Sequence, residues 1–167
     1  MIIGGDGKGT LTPFSDIEAI SFDEDNISEY GINCDPVDLP YKVKYHESVY
    51  TPALNGFLTC GGMDENQNRL SKCILQRKGN DSNQFPALHS KRTGFSLASI
   101  SDYIYAIGGI PNKNTMETIN LTTDKQWKKE ELPFSVTGHC SLGLGHNIIV
   151  TGGYGYKKVS KIISKFT

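Results

Sequence analysis

Gly138-His139-Cys140-Ser141-Leu142-Gly143 places a hydroxyl, a thiol and an imidazole side by side, the residue types that nucleophilic catalysis uses. A strand-to-helix nucleophile elbow needs glycine two positions before and two after its serine, and His139 stands where the first should be. Gly4-Gly5-Asp6-Gly7-Lys8-Gly9-Thr10 invites comparison with a phosphate-cradling loop. There the lysine must be followed by Ser or Thr, and a glycine must lie five positions before the glycine that precedes it; here those positions hold Gly9 and Ile2. His46, His89, His139 and His146 show neither H-x-H nor H-E-x-x-H spacing. Cys34, Cys60, Cys73 and Cys140 lie 26, 13 and 67 positions apart with no C-x-x-C, which predicts reduced thiols and neither a zinc site nor a disulfide framework. No catalytic, cofactor-binding or metal-binding residue is expected from these patterns.

The informative residues are glycines. Gly4-Gly5, Gly61-Gly62, Gly108-Gly109 and Gly152-Gly153 recur at intervals of 57, 47 and 44 residues. Each pair ends a short β-branched or aromatic run, such as Tyr103-Ile104-Tyr105-Ala106-Ile107, which predicts a buried strand. After a polar loop each pair is followed by an alternating segment, as in Met116-Glu117-Thr118-Ile119-Asn120-Leu121, which predicts a strand with one buried face. A turn-rich stretch and a proline follow, in Leu39-Pro40, Phe85-Pro86 and Leu132-Pro133. His46 and His139 then open the next strand, and Phe95 fills that place in the middle module, so the position predicts packing and not catalysis. The interval exceeds solenoid periods and fits the blades of a propeller.

This cycle resembles the kelch motif, best over residues 103–133, where Gly108-Gly109, Glu117 and Trp127 stand in order. Tyr30 and Phe85 are the candidates for the place of Trp127 in the first and second modules. The resemblance implies an all-β, single-domain array of four-stranded antiparallel blades packed face to face around an axis. The four glycine pairs would sit where backbones converge, and Trp127 would lie between two blades. The expected blades are 1–44, 45–91, 92–136 and 137–167, the first and last incomplete, so a neighbouring part of a longer chain or self-association is expected to supply the missing blades.

With 17 Lys+Arg against 18 Asp+Glu the net charge is −1, which gives no electrostatic reason for nucleic acid or an anionic membrane as partner. No run approaches the length of a spanning helix and the start lacks a leader pattern, so a cytoplasmic location is expected. The lysines at 157, 158, 161 and 165 read as a protected strand edge. In kelch-like propellers one rim gathers the loops after the second strands and those between blades, and it commonly binds a peptide or protein. Carried onto this chain, those loops are 8–16, 63–69, 111–115, 154–158 and 86–92, which offer Arg69, Lys91, Arg92, Lys113, Tyr154 and Tyr156. The expected function is a non-catalytic interaction module, with adaptor of a cullin-type ubiquitin ligase and cytoskeletal scaffold as the roles the resemblance implies. The competing expectation is a kelch-like enzyme acting on a small carbohydrate or acid.

Overall fold

The computed structural model describes residues 2–6, 13–21, 31–33, 39–77, 82–154 and 160–164. Tyr30, Cys34, Tyr156, Lys157, Lys158, Lys165 and the Gly7–Thr10 segment lie outside these. Among the described residues the regular elements are strands, apart from one 3-10 turn at Pro52–Leu54, and no helix is long and apolar enough to cross a membrane. The chain divides into two compact units, Met1–Lys44 with Met63–Asn68 and Tyr45–Gly62 with Arg69–Thr167.

In the first unit β1 (Ile2–Asp6), β2 (Pro13–Ser21) and β3 (Gly31–Asn33) form an antiparallel sheet in chain order. Gly5 pairs with Phe14 and Asp6 with Pro13, so residues 13–16 belong to a strand, and the rim loop expected over 8–16 is shorter than the sequence implied. Proline at the first position of β2 costs the least there, because it has no N–H to give a ladder. Lys44 and Met63 exchange two backbone hydrogen bonds, of 3.0 and 2.8 Å.

The second unit holds three sheets, each a meander in chain order. β4 (Glu47–Thr51), β5 (Gly56–Cys60), β6 (Cys73–Arg77) and β7 (Ser82–Phe85) make the first. β8 (Ser96–Ile100), β9 (Tyr103–Ile107), β10 (Thr115–Asn120) and β11 (Lys128–Glu131) make the second. The third comprises β12 (Thr137–Leu144), β13 (Asn147–Tyr154) and β14 (Ser160–Ser164). Four-stranded antiparallel sheets of this order are compatible with propeller blades.

Two apolar clusters flank the middle sheet. Leu97, Ile104, Ala106 and Ile119 pack with Leu58, Leu75 and Trp127, while Ala98, Ile100, Tyr105, Ile107 and Met116 pack with Val136, Ile148 and Val150. A sheet covered on both faces needs apolar residues at successive positions, which is why 103–107 is continuous and not alternating. Trp127 is buried between the first and second sheets, its ring NH donating to Pro86 O at 2.8 Å.

Three expectations are corrected here. β10 is buried along its whole length, so its alternation does not mark a solvent face; the polar side chains are buried too, and Glu117 is neutralised by a buried partner. Phe85 does not replace Trp127. It ends β7 before Pro86, the place Leu132 holds before Pro133, and meets Trp127 edge-on at 6.5 Å. Cys60 and Cys73, opposed in the β5–β6 register with Cα atoms 4.1 Å apart, form a disulfide, and Cys140 is free and exposed. Strand pairing brings residues 13 apart in sequence face to face, a proximity that sequence spacing does not disclose.

Candidate functional site

Because the strands alternate in direction, β5, β7, β9, β11 and β13 end, and β6, β8, β10, β12 and β14 begin, at one end of their sheets. That end is built around the glycine pairs. The N–H of the first glycine stays within its own sheet, Gly61 N bonding Lys72 O at 2.9 Å and Gly108 N bonding Thr115 O at 2.9 Å. The N–H of the second crosses to the next sheet, Gly62 N to Arg92 O at 2.8 Å and Gly109 N to Val136 O at 2.9 Å. At Gly108 a β-carbon would lie 2.4 Å from Val136 O with φ at +61°, so contact distance and backbone conformation both require glycine.

A second repeated feature precedes each first strand. Tyr45, Gly94 and Gly138 all have positive φ, and Gly94 N bonds Tyr45 O at 3.4 Å while Gly138 N bonds Gly94 O at 2.7 Å. These bonds carry the rim from sheet to sheet.

Arg92 and Glu117 anchor the loops of the middle sheet. Both side chains are fully buried, with Arg92 Nη2 and Nε donating to Glu117 Oε1 at 2.9 and 3.1 Å. The same guanidinium donates to Gly108 O at 2.6 Å, Thr115 O at 3.1 Å and Thr115 Oγ1 at 2.8 Å. Glu117 also accepts from the backbone N–H of His89 at 2.6 Å and of Ser90 at 3.0 Å. Burial pushes the Arg92 pKa down, and the adjoining carboxylate opposes that shift. Arg92 was expected to be a contact residue on the rim; it is a buried strut instead, because its fork finds one carboxylate and several carbonyls beneath the surface.

Of the other expected rim residues, Arg69, Lys91, Lys113 and Tyr154 are exposed, and Tyr156 lies outside the described residues. Hydrogen bonds link the segments that carry the first three: Arg92 N bonds Leu70 O at 3.0 Å, next to Lys91 and Arg69, and Arg92 Nη1 reaches Asn112 O at 3.4 Å, next to Lys113. Tyr154 stands opposite Thr137 on the third sheet, 81% exposed, and Tyr45, 51% exposed, was not foreseen as a surface aromatic. Its position before a first strand was the signal available.

The remaining constellations hold the fold together. Ser96 Oγ and His139 Nε2 are 2.7 Å apart but both residues are buried, and desolvation lowers the His139 pKa to about 4. Asn120 Oδ1 accepts from the N–H groups of Thr122 and Thr123, so its side-chain carbonyl is committed to a turn. Among the described residues no three His, Cys, Asp or Glu side chains gather as metal ligands. A shallow cavity of about 350 Å³ is lined by Pro86, Ala87 and His89 of the 86–92 loop with Lys125 and Gln126, and Arg69, Lys91, Lys113 and Tyr154 do not line it.

No family model matches the chain. Two curated proteins are similar, each described as "Kelch repeat and BTB domain-containing protein 2", from cowpox virus strains GRI-90/Grishak and Brighton Red. Each is 30% identical over 130 residues, which cover 74% of this chain and 23% of the relative. The chain thus spans about a quarter of the length of the curated relatives it matches. That similarity, together with the glycine-pair junctions and the four-stranded sheets, supports kelch-repeat character for this chain.

Proposed function

We propose that the chain is a non-catalytic protein-interaction module whose partner sits on the rim at the glycine-pair end of the sheets. The observation that carries this reading is the exposure of Arg69, Lys91 and Lys113 on loops whose bases are fixed by the buried Arg92–Glu117 pair and the inter-sheet hydrogen bonds, with exposed Tyr154 at the end of β13. Contact residues on mobile loops held by a rigid scaffold are a common arrangement for recognition. The relatives' description adds a BTB domain to kelch repeats, which favours a substrate-recognition role in a ubiquitin-ligase adaptor over a cytoskeletal scaffold. We further propose a cytoplasmic setting and no catalysis; the buried Ser96–His139 contact offers a substrate no approach.

Affinity capture with cross-linking tests the reading. A partner held by the wild-type chain should be lost on replacing Arg69, Lys91, Lys113 and Tyr154 with alanine. It should be retained when exposed residues of the opposite end, such as Asn55 and His146, are replaced. Loss in the second variant and not the first would move the binding surface elsewhere.

A further inference from the structure

We infer that the cavity beside β7 and β11, the outermost strands of the first and middle sheets, takes a tyrosine side chain from an extended peptide segment of a partner protein. It holds about 350 Å³, room for a phenol ring, and is lined by Pro86, Ala87, His89, Lys125 and Gln126. Pro86 and Ala87 follow β7, while Lys125 and Gln126 lead into β11. None of Arg69, Lys91, Lys113 and Tyr154 lines it, so the site is separate from the rim and holds or fails without it.

The two walls are tied together. Trp127 Nε1 donates to Pro86 O at 2.8 Å, and His89 Nε2 bonds Trp127 O. His89 N donates to Glu117 Oε2 at 2.6 Å, and Leu88 N to Ser71 O at 2.8 Å. A carbonyl oxygen only accepts, so His89 Nε2 carries the hydrogen and the neutral imidazole leaves Nδ1 as a bare acceptor. Among the described residues nothing bonds His89 Nδ1, the Lys125 ammonium or the Gln126 side-chain amide, and these side chains are exposed. The cavity thus presents apolar surface from Pro86 and Ala87 with one fixed acceptor, and donors from the other wall.

A tyrosine matches each of these. Its ring covers proline and alanine, and its hydroxyl donates to Nδ1 while accepting from Lys125 or Gln126. Phenylalanine lacks the hydroxyl and tryptophan only donates. A phosphotyrosine turns accepting oxygens toward the Nδ1 lone pair. The strand beside the cavity favours an extended backbone. β7 is an open sheet edge whose Ser82, Asn83 and Gln84 are exposed and uncharged, whereas the outer edge of the middle sheet, β11, is Lys-Lys-Glu-Glu. Charged side chains guard an edge against pairing, and an edge without them accepts a further strand.

Amide NMR shifts of the intact chain, titrated with acetyl-Thr-Val-Tyr-Val-Thr-amide, test this. Shifts should move at Ala87, His89 and Gln126 and along β7. The same peptide with phenylalanine should bind about fivefold more weakly, for want of the hydroxyl's hydrogen bonds. His89→Leu should abolish that preference. Because His89 also holds Trp127, the exposed pair Lys125→Ala with Gln126→Ala provides a second variant, which should weaken the tyrosine peptide about fivefold, while Lys129→Ala on β11 leaves it unchanged. The variant with alanine at Arg69, Lys91, Lys113 and Tyr154 should bind the peptide as the wild-type chain does, so failure of the rim reading and failure of this one are distinguishable. Absence of binding, equal affinity for the tyrosine and phenylalanine peptides, or tighter binding of the phosphotyrosine peptide overturns the inference. Acetyl-tyrosinamide bound as tightly as the peptide, with no shift along β7, overturns it in favour of a small aromatic ligand. Concentration-dependent shifts of the same amides without peptide, lost in Tyr154→Phe, overturn it in favour of a second copy of this chain.

Discussion

The Arg92–Glu117 pair shows how a buried charge is tolerated: every hydrogen-bonding direction of the fork meets an acceptor, and the carboxylate meets two backbone donors as well. Removing one member leaves the other unpaired in the interior. Arg92→Ala or Glu117→Ala should therefore cost about 3–5 kcal/mol, read as a lowered denaturation midpoint. His139 makes a different prediction. Its pKa in the fold is lowered to about 4, from 6.5 in the unfolded chain, because burial penalises the imidazolium. The unfolded state binds the proton first, so stability should fall as pH drops from about 6.5 toward 4, by up to ~3 kcal/mol. Glu47 acts with the opposite sign: burial raises its pKa to about 7 from 4.5, and stability should decline as pH rises through that interval. Melting curves of His139→Phe and Glu47→Gln between pH 4 and 8 check both, since each variant should remove one limb of the profile. Phenylalanine suits the first because Phe95 occupies the equivalent place before β8.

At the scale of elements, the glycine pairs are junctions whose cost of substitution depends on what covers them. Gly108→Ala drives a methyl against Val136 O, whereas a β-carbon at Gly152 would meet nothing within 4 Å although φ is +74° there. The first should cost at least ~2 kcal/mol and the second about 1 kcal/mol, from backbone strain alone. Chemical denaturation of the two variants measures the difference that close sheet-to-sheet approach makes. The β5–β6 hairpin carries the Cys60–Cys73 disulfide across a separation of 13 residues. A dithiol reductant should lower stability by about 2–3 kcal/mol through released chain entropy, and Cys60→Ala with Cys73→Ala should make the protein insensitive to the reductant. Unchanged melting of the wild-type chain under reductant would show that strand pairing alone holds this hairpin.

At the scale of the molecule, the third sheet differs from the other two of its unit. Leu142 and Leu144 point away from the apolar cluster and are 62% and 60% exposed, with Leu142 opposite Ile149 on the neighbouring strand. The corresponding positions on the middle sheet, Ala98 and Ile100, are buried against the third. An apolar stripe in the open favours association. Sedimentation velocity at low micromolar concentration should detect self-association of the chain, and Leu142→Lys with Leu144→Lys should shift it toward monomer without lowering the melting temperature. A compact monomer for the unaltered chain would show that this face tolerates water.

The sequence by itself determined the strand content and the cycle of the modules. Glycine pairs, β-branched runs and prolines act locally, through φ preferences and missing donors, so their spacing is read directly along the chain. It also placed Lys91 and Lys113 on loops, because loop segments announce themselves by composition, whereas Tyr154, expected on a loop, ends β13 opposite Thr137. Only the tertiary structure decided which polar residues are buried. Arg92 and Lys91 are neighbours with near-identical sequence surroundings, yet one fills the interior and the other faces water, since a carboxylate 25 residues away in sequence meets the first. The Cys60–Cys73 bond and the burial of both faces of β10 depend likewise on partners brought in by strand pairing and sheet packing. Such long-range contacts depend on geometry shared by several segments at once, and no single stretch of sequence contains it.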